Sequence, residues 1–248
     1  MAMPGAVKTS LSMMTVLLPS LSGPGRNNHM QQSYFVIGTD TGVGKTYIAS
    51  ALVRHFANKG KKAVGMKPVA SGCELSEYGI WQGQLVNDDV VALYEAGNVP
   101  VPLELINPYH FEPAIAPHIA AQKAGVEIDL DLIVRSYHAL AEMADVVVVE
   151  GAGGFFVPLN DEQTLADLAV KLNLPVILVV GMRLGCINHA LLTVEAIKAR
   201  GLTLAGWVAN QIDPDMSMFE ENLASLRQRI DAPCLSVVGW QGQAEFSL

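Results

Sequence analysis

The sequence has 248 residues, carries a formal net charge of −8 and is 50% hydrophobic. This length suits one or two domains with a large core, and the negative charge argues against a nucleic-acid-binding surface. No apolar run approaches the roughly 20 residues of a membrane span, and three scattered cysteines favour free thiols over a disulfide or zinc site. We therefore expect a cytoplasmic protein without nucleic-acid or membrane partners.

Residues 1–30 differ in composition from the rest, being rich in Met, Ser, Pro and Gly. We expect an extension that is disordered or derived from cloning, with Met30 as the natural start. A secretory signal is the alternative, because Lys8 precedes a mildly apolar stretch at 11–21. That stretch is interrupted, so we favour an extension followed by one domain over 31–248.

A glycine-rich run at 38–46 follows the apolar segment 34–37 and precedes a helical pattern. Glycines let several backbone N–H groups point at one anion, Lys45 adds charge for the outer phosphates, and the Thr46 hydroxyl can ligate Mg²⁺. Five residues rather than the usual four separate Gly38 from Gly44. We nevertheless predict ATP or GTP binding here rather than a structural turn. The residues expected to contact the nucleotide are Thr41, Gly42, Val43, Gly44, Lys45 and Thr46.

Beyond this loop, continuous apolar runs alternate with helical patterns. The predicted strands lie at 34–37, 63–66, 146–149, 175–180 and 204–209. The predicted helices lie at 45–58, 129–143, 164–172, 187–199 and 217–230. Continuous hydrophobicity indicates strands that are buried on both faces. We predict an α/β fold with a doubly wound, mostly parallel sheet of the phosphate-loop NTPase type, whose ligands bind at the carboxyl ends of the strands.

Polar residues stand where these strands end. Glu150 closes a run of four valines, and a carboxylate there is costly to bury unless a metal or cation compensates it. We favour a Mg²⁺ role for Glu150 over a structural ion pair. The glycines after it, Gly153 among them, predict backbone amides that approach an anion, with a tight turn as the alternative. Lys67 and Asn210 end two further strands.

Several short motifs stand at these positions and between them. They are GTDT and VGKT in the phosphate loop, KPVASG at 67–72, NPY at 107–109, PH at 117–118, EGAGG at 150–154, LGCINH at 184–189 and GWVAN at 206–210. Together these motifs resemble those of the dethiobiotin synthetases. The resemblance covers residues 34–211. It implies that ATP, CO₂ and 7,8-diaminononanoate are converted to dethiobiotin, ADP and phosphate through a carbamate and a carbamic-phosphoric anhydride.

The resemblance also implies roles for charged residues. Lys67 and Lys45 would be catalytic, because phosphoryl transfer depends on charge stabilisation. Mg²⁺ would be held by Thr46, Asp89 and Glu150. Asp88 is an alternative to Asp89, because segment 74–86 is longer than the family pattern, and either aspartate could instead cap the helix that begins near Val90.

Substrate contacts are likewise implied. Ser71 would bind the diamine or carbamate, with an ordinary turn serine as the alternative, and Asn210 would contact the base. Backbone amides at a helix start would grip the substrate carboxylate from the neighbouring subunit of a homodimer. Those four residues are Gly185, Cys186, Ile187 and Asn188. His118 and His189 are predicted to be structural or interface residues.

Two departures from the family pattern affect individual contacts. Gly42 stands where some members have a glutamate, and the end of the chain after Leu235 differs from the pattern, so adenine contacts from that tail are not carried over. A partitioning-type switch ATPase is the nearest alternative, although Asp40 occupies the position of its signature lysine. An amidotransferase-type ligase and a nucleotide-sensing module are further alternatives.

Overall fold

The computed structural model describes residues 32–77 and 79–248, so the extension predicted at 1–30 lies outside the described residues. The strands of the described part are β1 (Gln32–Gly38), β2 (Ala63–Met66), β3 (Val69–Ser71), β4 (Glu74–Leu75), β5 (Leu85–Val86), β6 (Tyr109–Phe111), β7 (Val146–Gly154), β8 (Val176–Met182), β9 (Leu204–Gln211) and β10 (Cys234–Val238). Its α-helices are α1 (Lys45–Asn58), α2 (Asp88–Ala96), α3 (Leu103–Ile106), α4 (Pro117–Ala124), α5 (Leu130–Met143), α6 (Leu165–Leu172), α7 (Cys186–Ala199) and α8 (Phe219–Arg229). A 3₁₀ turn spans Gly79–Trp81.

The main sheet has six parallel strands in the order β10-β9-β8-β1-β7-β2. β1 lies at its centre, where Phe35 pairs with Val149 of β7 and with Val176 of β8. The chain moves from β1 towards one edge of the sheet and from β8 towards the other. The carboxyl ends of β1 and β8 therefore form the topological switch point, where such sheets bind ligands. The predicted doubly wound parallel sheet is confirmed.

Alternate side chains of the central strands enter two separate core layers. Val36 packs in the layer that contains the apolar face of α1, whereas Phe35 and Ile37 pack in the layer that contains α5, α6 and α7. The four valines from Val146 to Val149 divide between the layers in the same way. Burial on both faces explains why these strands are continuously apolar in the sequence.

The observed bounds differ from the predicted ones at several ends. The strand predicted at 146–149 continues to Gly154, and the helices begin or end up to two residues from their predicted positions. Between β2 and α5 the sequence patterns missed two small two-stranded sheets, β3 with β6 and β4 with β5. Strands of two or three residues are too short to show a hydrophobic period.

The last ten residues pack beside α1 without regular structure. Tyr47 donates a hydrogen bond from its hydroxyl to the Gly242 carbonyl at 2.8 Å, and the Phe246 ring contacts His55 edge-on. This segment covers part of the sheet face that α1 occupies. No helix within 32–77 and 79–248 is long and apolar enough to cross a membrane.

The start of α6 provides a stability prediction. Asp167 accepts hydrogen bonds from the backbone N–H and the hydroxyl of Thr164, both at 2.7 Å, and pairs with Arg200 at 2.6 Å. Burial alone raises the pKa of Asp167, but the bonds from Thr164 and Arg200 outweigh it and lower that pKa. We expect Asp167→Ala to reduce the free energy of unfolding at pH 7 by about 1 kcal/mol, measured by denaturant titration.

The pH dependence of that difference follows from the direction of the shift. The ionised Asp167 carboxylate stabilises the fold above its ordinary pKa of 3.8, and this contribution is lost as the pH falls through the lowered value. Asp161→Ala removes a nearby exposed aspartate and serves as the control. An equal effect of the two variants at pH 7 would contradict the capping role of Asp167.

Candidate active site

The glycine-rich loop joins β1 to α1 and requires glycine at two positions. Gly42 and Gly44 have φ angles of 73° and 87°, in the left-handed region that glycine adopts without strain. A Cβ on Gly44 would lie 2.2 Å from Nδ2 of Asn210. Gly44 is also the N-cap of α1, so the unpaired N–H groups of the first helical turn begin directly after it. The loop thus has the form of an anion cradle.

Asn210 supports this loop from behind. The residue is 8% exposed, and its Nδ2 donates to the Val43 carbonyl at 2.8 Å. Val43 is itself buried at 1% exposure. Among the described residues, those that line the cleft in front of the loop do not include Asn210 or Val43. In this structure both residues shape the loop from the side facing the core.

A cleft of about 740 Å³ opens in front of the loop. It lies at the carboxyl ends of β1, β2 and β7, the edge of the sheet where parallel α/β folds bind ligands, and it extends from the β1 loop on the side away from β8. The sequence-predicted residues that line it are Thr41, Gly42, Gly44, Lys45, Thr46, Lys67, Ser71, Asp89, Glu150 and Gly153. Residues far apart in the chain therefore meet in one cavity.

Lys67 is at the centre of a charged cluster on the cleft floor. Its Nζ lies 2.6 Å from Oε1 of Glu150 and 2.8 Å from Oδ2 of Asp89. Glu150 Oε1 also accepts a hydrogen bond from the Thr46 hydroxyl at 2.8 Å. The side chains of Lys67 and Glu150 are 5% and 0% exposed, whereas that of Asp89 is 38% exposed. The cluster thus reaches from the core to the open cleft.

Glu150 has an unused oxygen. Its Oε2 is buried and has no hydrogen-bond partner among the described residues. A buried carboxylate oxygen without a partner is costly. The Thr46 hydroxyl and the Asp89 carboxylate contact the same cluster, and these three groups are the hard oxygen donors that Mg²⁺ prefers. The residues present therefore fit a magnesium ion.

The pKa shifts show that burial disfavours the charged forms of both Lys45 and Glu150. Burial and, after it, the charge of Lys67 lower the pKa of Lys45 to about 8, against the opposing effect of Glu150 and other carboxylates. Burial opposes the charge of Lys67, but Glu150 and Asp89 outweigh it and raise the pKa of this lysine. Burial raises the pKa of Glu150 despite Lys67. A bound polyanion would favour the charged form of Lys45.

Lys45 and Asp40 fold the loop onto itself. The Nζ of Lys45 donates to the backbone carbonyl of Asp40 at 2.8 Å. The Asp40 carboxylate accepts from the backbone N–H of Thr41 and pairs with Arg183 at 2.8 Å. Arg183 follows β8, so this ion pair joins the loops after β1 and β8. Arg183 was not predicted as a site residue, because its partner is 143 positions away in the chain.

The start of α2 distinguishes Asp89 from Asp88. Asn87 is the N-cap, and its side chain accepts a hydrogen bond from the backbone N–H of Asp89 at 2.9 Å. The alternative in which an aspartate caps this helix is therefore wrong. Asp89 lines the cleft, whereas Asp88 is exposed and is not among the lining residues of the described chain.

The structural role of Asn87 was also not predicted from the sequence. Its Nδ2 donates to the carbonyls of Ser71 and Gly72 at 3.1 and 3.2 Å. The Asn87 side chain thus connects the end of β3 to the start of α2, which carries Asp89. The pattern at 87–89 showed two acidic residues but gave no signal for the role of the asparagine.

The start of α7 lies apart from this cleft. Gly185, Cys186, Ile187 and Asn188 are not among its lining residues in the described chain. Gly185 is the N-cap of α7, and Leu184 before it is 94% exposed. His189 is exposed, and His118 lies in α4 with a buried Nδ1 that has no partner among the described residues.

Comparison with known proteins identifies close relatives. A family model described as an AAA domain matches residues 32–246. The ATP-dependent dethiobiotin synthetase BioD of Nitrosospira multiformis is 55% identical over 84% of this chain and 88% of its own length. That of Aromatoleum aromaticum is 55% identical over 84% and 90%, and that of Cellvibrio japonicus 51% over 84% and 89%.

Solved structures show the same fold at low identity. The MinC:MinD cell division complex of Aquifex aeolicus matches with a TM-score of 0.51 and 14% identity, over 84% of this chain and 81% of that one. A ParA family ATPase of Chlorobium tepidum matches with a TM-score of 0.50 and 12% identity, over 85% of each chain. These likenesses confirm the phosphate-loop NTPase fold alone. The identity with the curated relatives shows that this chain belongs to the ATP-dependent dethiobiotin synthetase family.

Proposed function

We propose that this chain joins CO₂ to 7,8-diaminononanoate and closes the ring to dethiobiotin, converting ATP to ADP and phosphate. One observation carries the proposal: a lysine-carboxylate cluster and a phosphate loop share one cleft, in a chain at least 51% identical to named dethiobiotin synthetases. The cluster supplies charge where a phosphoryl group would be transferred. The cavity of about 740 Å³ has room for a nucleotide phosphate chain and a small diamine.

The first stage needs charge stabilisation more than covalent chemistry. One amine of the diamine takes up CO₂ as a carbamate, and a carbamate oxygen then attacks the γ-phosphate to release ADP. Lys45 and Lys67 line the same cleft, so both can neutralise negative charge that builds up between carbamate and phosphate. Thr46, Asp89 and Glu150 would hold Mg²⁺, which supplies further positive charge to the phosphate oxygens.

The second stage closes the ring. The free amine attacks the carbonyl of the carbamic-phosphoric anhydride and expels phosphate. Both reacting groups belong to one molecule, which favours closure through a high effective concentration. Val69, Ala70, Ile115 and Pro117 give the cleft an apolar wall that suits the hydrocarbon chain of the diamine, and Ser71 stands beside it as a hydrogen-bonding group.

The metal assignment predicts different effects for two adjacent aspartates. We expect Asp89→Asn to raise the Mg²⁺ concentration needed for half-maximal turnover by about 10- to 100-fold, because it removes an anionic oxygen beside Lys67 and Thr46. Asp88→Asn serves as the matched control, since Asp88 is exposed at the same helix start. Turnover is measured over a magnesium titration. Equal effects of the two variants would contradict the assignment to Asp89.

A homodimer with a shared site would explain why the start of α7 does not line the cleft of its own chain. In this chain Gly185–Asn188 stand apart from the cleft, while Leu184 and Leu192 are 94% and 62% exposed. A second copy would cover these leucines and bring the unpaired N–H groups of its α7 to the substrate carboxylate. We expect light scattering to give twice the mass of one chain, and Leu184→Asp to raise KM for the diamine. A monomer with unchanged KM in the variant would contradict this arrangement.

The function is tested by ADP release from the purified protein with Mg-ATP and bicarbonate, with and without 7,8-diaminononanoate, while the organic product is followed by mass spectrometry. We expect ADP release that depends on the diamine and yields dethiobiotin in equal amount. Hydrolysis that ignores the diamine would instead favour a switch ATPase of the same fold.

A further inference from the structure

Lys67 stands at a break between two strands. The pairing of β2 with β7 ends at Met66 and Val149, and β3 begins at Val69 in a different sheet. Pro68, between them, has no backbone N–H. At this break the Lys67 backbone leaves the ladder of the main sheet. Its N–H and carbonyl therefore need other partners.

Segment 106–109 supplies those partners. The Lys67 N–H donates to the Ile106 carbonyl at 2.8 Å, and the Tyr109 N–H donates to the Pro68 carbonyl at 3.2 Å. The Nδ2 of Asn107 donates to the Lys67 carbonyl at 2.6 Å and to the Tyr109 carbonyl at 3.0 Å. A single side chain thus satisfies the Lys67 carbonyl at the break and joins it to the start of β6.

Burial of the Asn107 amide at this position costs free energy. Asn107 is 1% exposed, and its Oδ1 is buried with no partner among the described residues. A buried amide with one unsatisfied oxygen gives less stability than its two donated bonds suggest. We therefore attribute the role of Asn107 to the orientation that its Nδ2 imposes on the Lys67 carbonyl. That orientation sets where the Lys67 side chain leaves the backbone, 2.6 Å from Glu150 at its far end.

We propose that Asn107 is a positioning residue for Lys67. Asn107 fixes the backbone at the break between β2 and β3, so that the ammonium group of Lys67 stays between Glu150 and the reacting phosphate. The inference rests on the proposed function, because it assigns Lys67 to turnover. Asn107 does not line the cleft in the described chain and acts through the lysine backbone.

The test compares Asn107→Ala and Asn107→Leu, the second of which keeps the number and branching of the side-chain heavy atoms but removes their hydrogen-bonding groups. We expect kcat for diamine-dependent ADP release to fall about 10- to 100-fold, as for a small misplacement of a catalytic group, while the Kd of a non-hydrolysable ATP analogue changes less than about twofold. Asn98→Ala is the matched control. Asn98 bonds to Lys61 and Ala63 at the other end of β2, and its loss should leave kcat unchanged.

A double-mutant cycle with Lys67→Ala separates positioning from general support. If Asn107 acts through Lys67, adding Asn107→Ala to Lys67→Ala causes no further loss of the residual rate. Additive losses, unchanged kcat in both Asn107 variants, or loss of analogue binding together with turnover would each overturn the inference. Failure of the proposed function looks different, since the unaltered protein would then form no dethiobiotin.

Discussion

Replacing Lys67 by alanine is expected to lower diamine-dependent turnover by about 10²- to 10³-fold, while the protein still binds a non-hydrolysable ATP analogue. The ammonium group lies on the cleft floor between Glu150 and Asp89, where it can stabilise charge on the transferred phosphoryl group. The N–H groups of the phosphate loop and Lys45 remain to hold the nucleotide. Steady-state rates and calorimetric binding measure the two properties separately.

The same change should weaken the fold. Glu150 is fully buried, and without Lys67 it loses a charged partner at 2.6 Å. Removal of one partner from a buried ion pair costs about 3–5 kcal/mol, of which protonation of Glu150 recovers part. Lys62→Ala removes an exposed lysine at the opposite end of β2 and should change neither turnover nor stability. Equal loss of nucleotide binding and turnover in Lys67→Ala would contradict the role assigned to Lys67.

Replacing Lys45 is expected to reduce kcat/KM for ATP by about 10²-fold or more, because this residue offers the phosphate loop's own positive charge to the outer phosphates. In the free protein its Nζ contacts the Asp40 carbonyl at 2.8 Å and forms no ion pair among the described residues. Lys45→Ala removes the group, and Lys45→Met keeps most of its apolar stem. Unchanged steady-state turnover in both variants would contradict ATP binding by this loop.

The stability effect of Lys45→Met should have the opposite sign to that of Lys67→Ala. Burial, reinforced by Lys67, lowers the pKa of Lys45 to about 8 from 10.5, so the protonated lysine opposes folding at neutral pH. This unfavourable contribution is complete below about pH 8 and fades as the pH rises to 10.5. The free energy of unfolding at pH 7 should therefore be equal or higher in Lys45→Met. A clear decrease would show that Lys45 stabilises the free protein.

These two lysines also show what the sequence could reveal. Lys45 belongs to a glycine-rich pattern of nine residues, and Lys67 and Glu150 directly follow apolar runs that are unmistakable in the sequence. Parallel strands bring their carboxyl ends to one edge, so the meeting of these residues follows from the topology. Five of the six strands of the central sheet and the floor of the cleft were therefore predictable from local patterns, whereas the edge strand β10 was not.

The supporting residues were not predictable in this way. Asn107 bonds to a carbonyl 40 positions away, Asn87 to one 16 positions away, and Arg183 to a carboxylate 143 positions away. These partners are chosen by how loops lie against one another, and an isolated asparagine or arginine carries no periodic signal. The motif NPY marked position 107 as a family feature without showing that its amide holds the Lys67 backbone.

The close approach of Gly44 to Asn210 limits how this protein can be redesigned. Any side chain at position 44 would collide with the amide that holds the Val43 carbonyl, and the φ of 87° adds strain of its own. Shortening Asn210 would relieve the collision but release the loop. A library that varies these two positions independently will therefore consist mostly of inactive members. Gly42 has open space for a Cβ, but its φ of 73° would strain any other residue, so productive variation must begin outside the glycines of this loop.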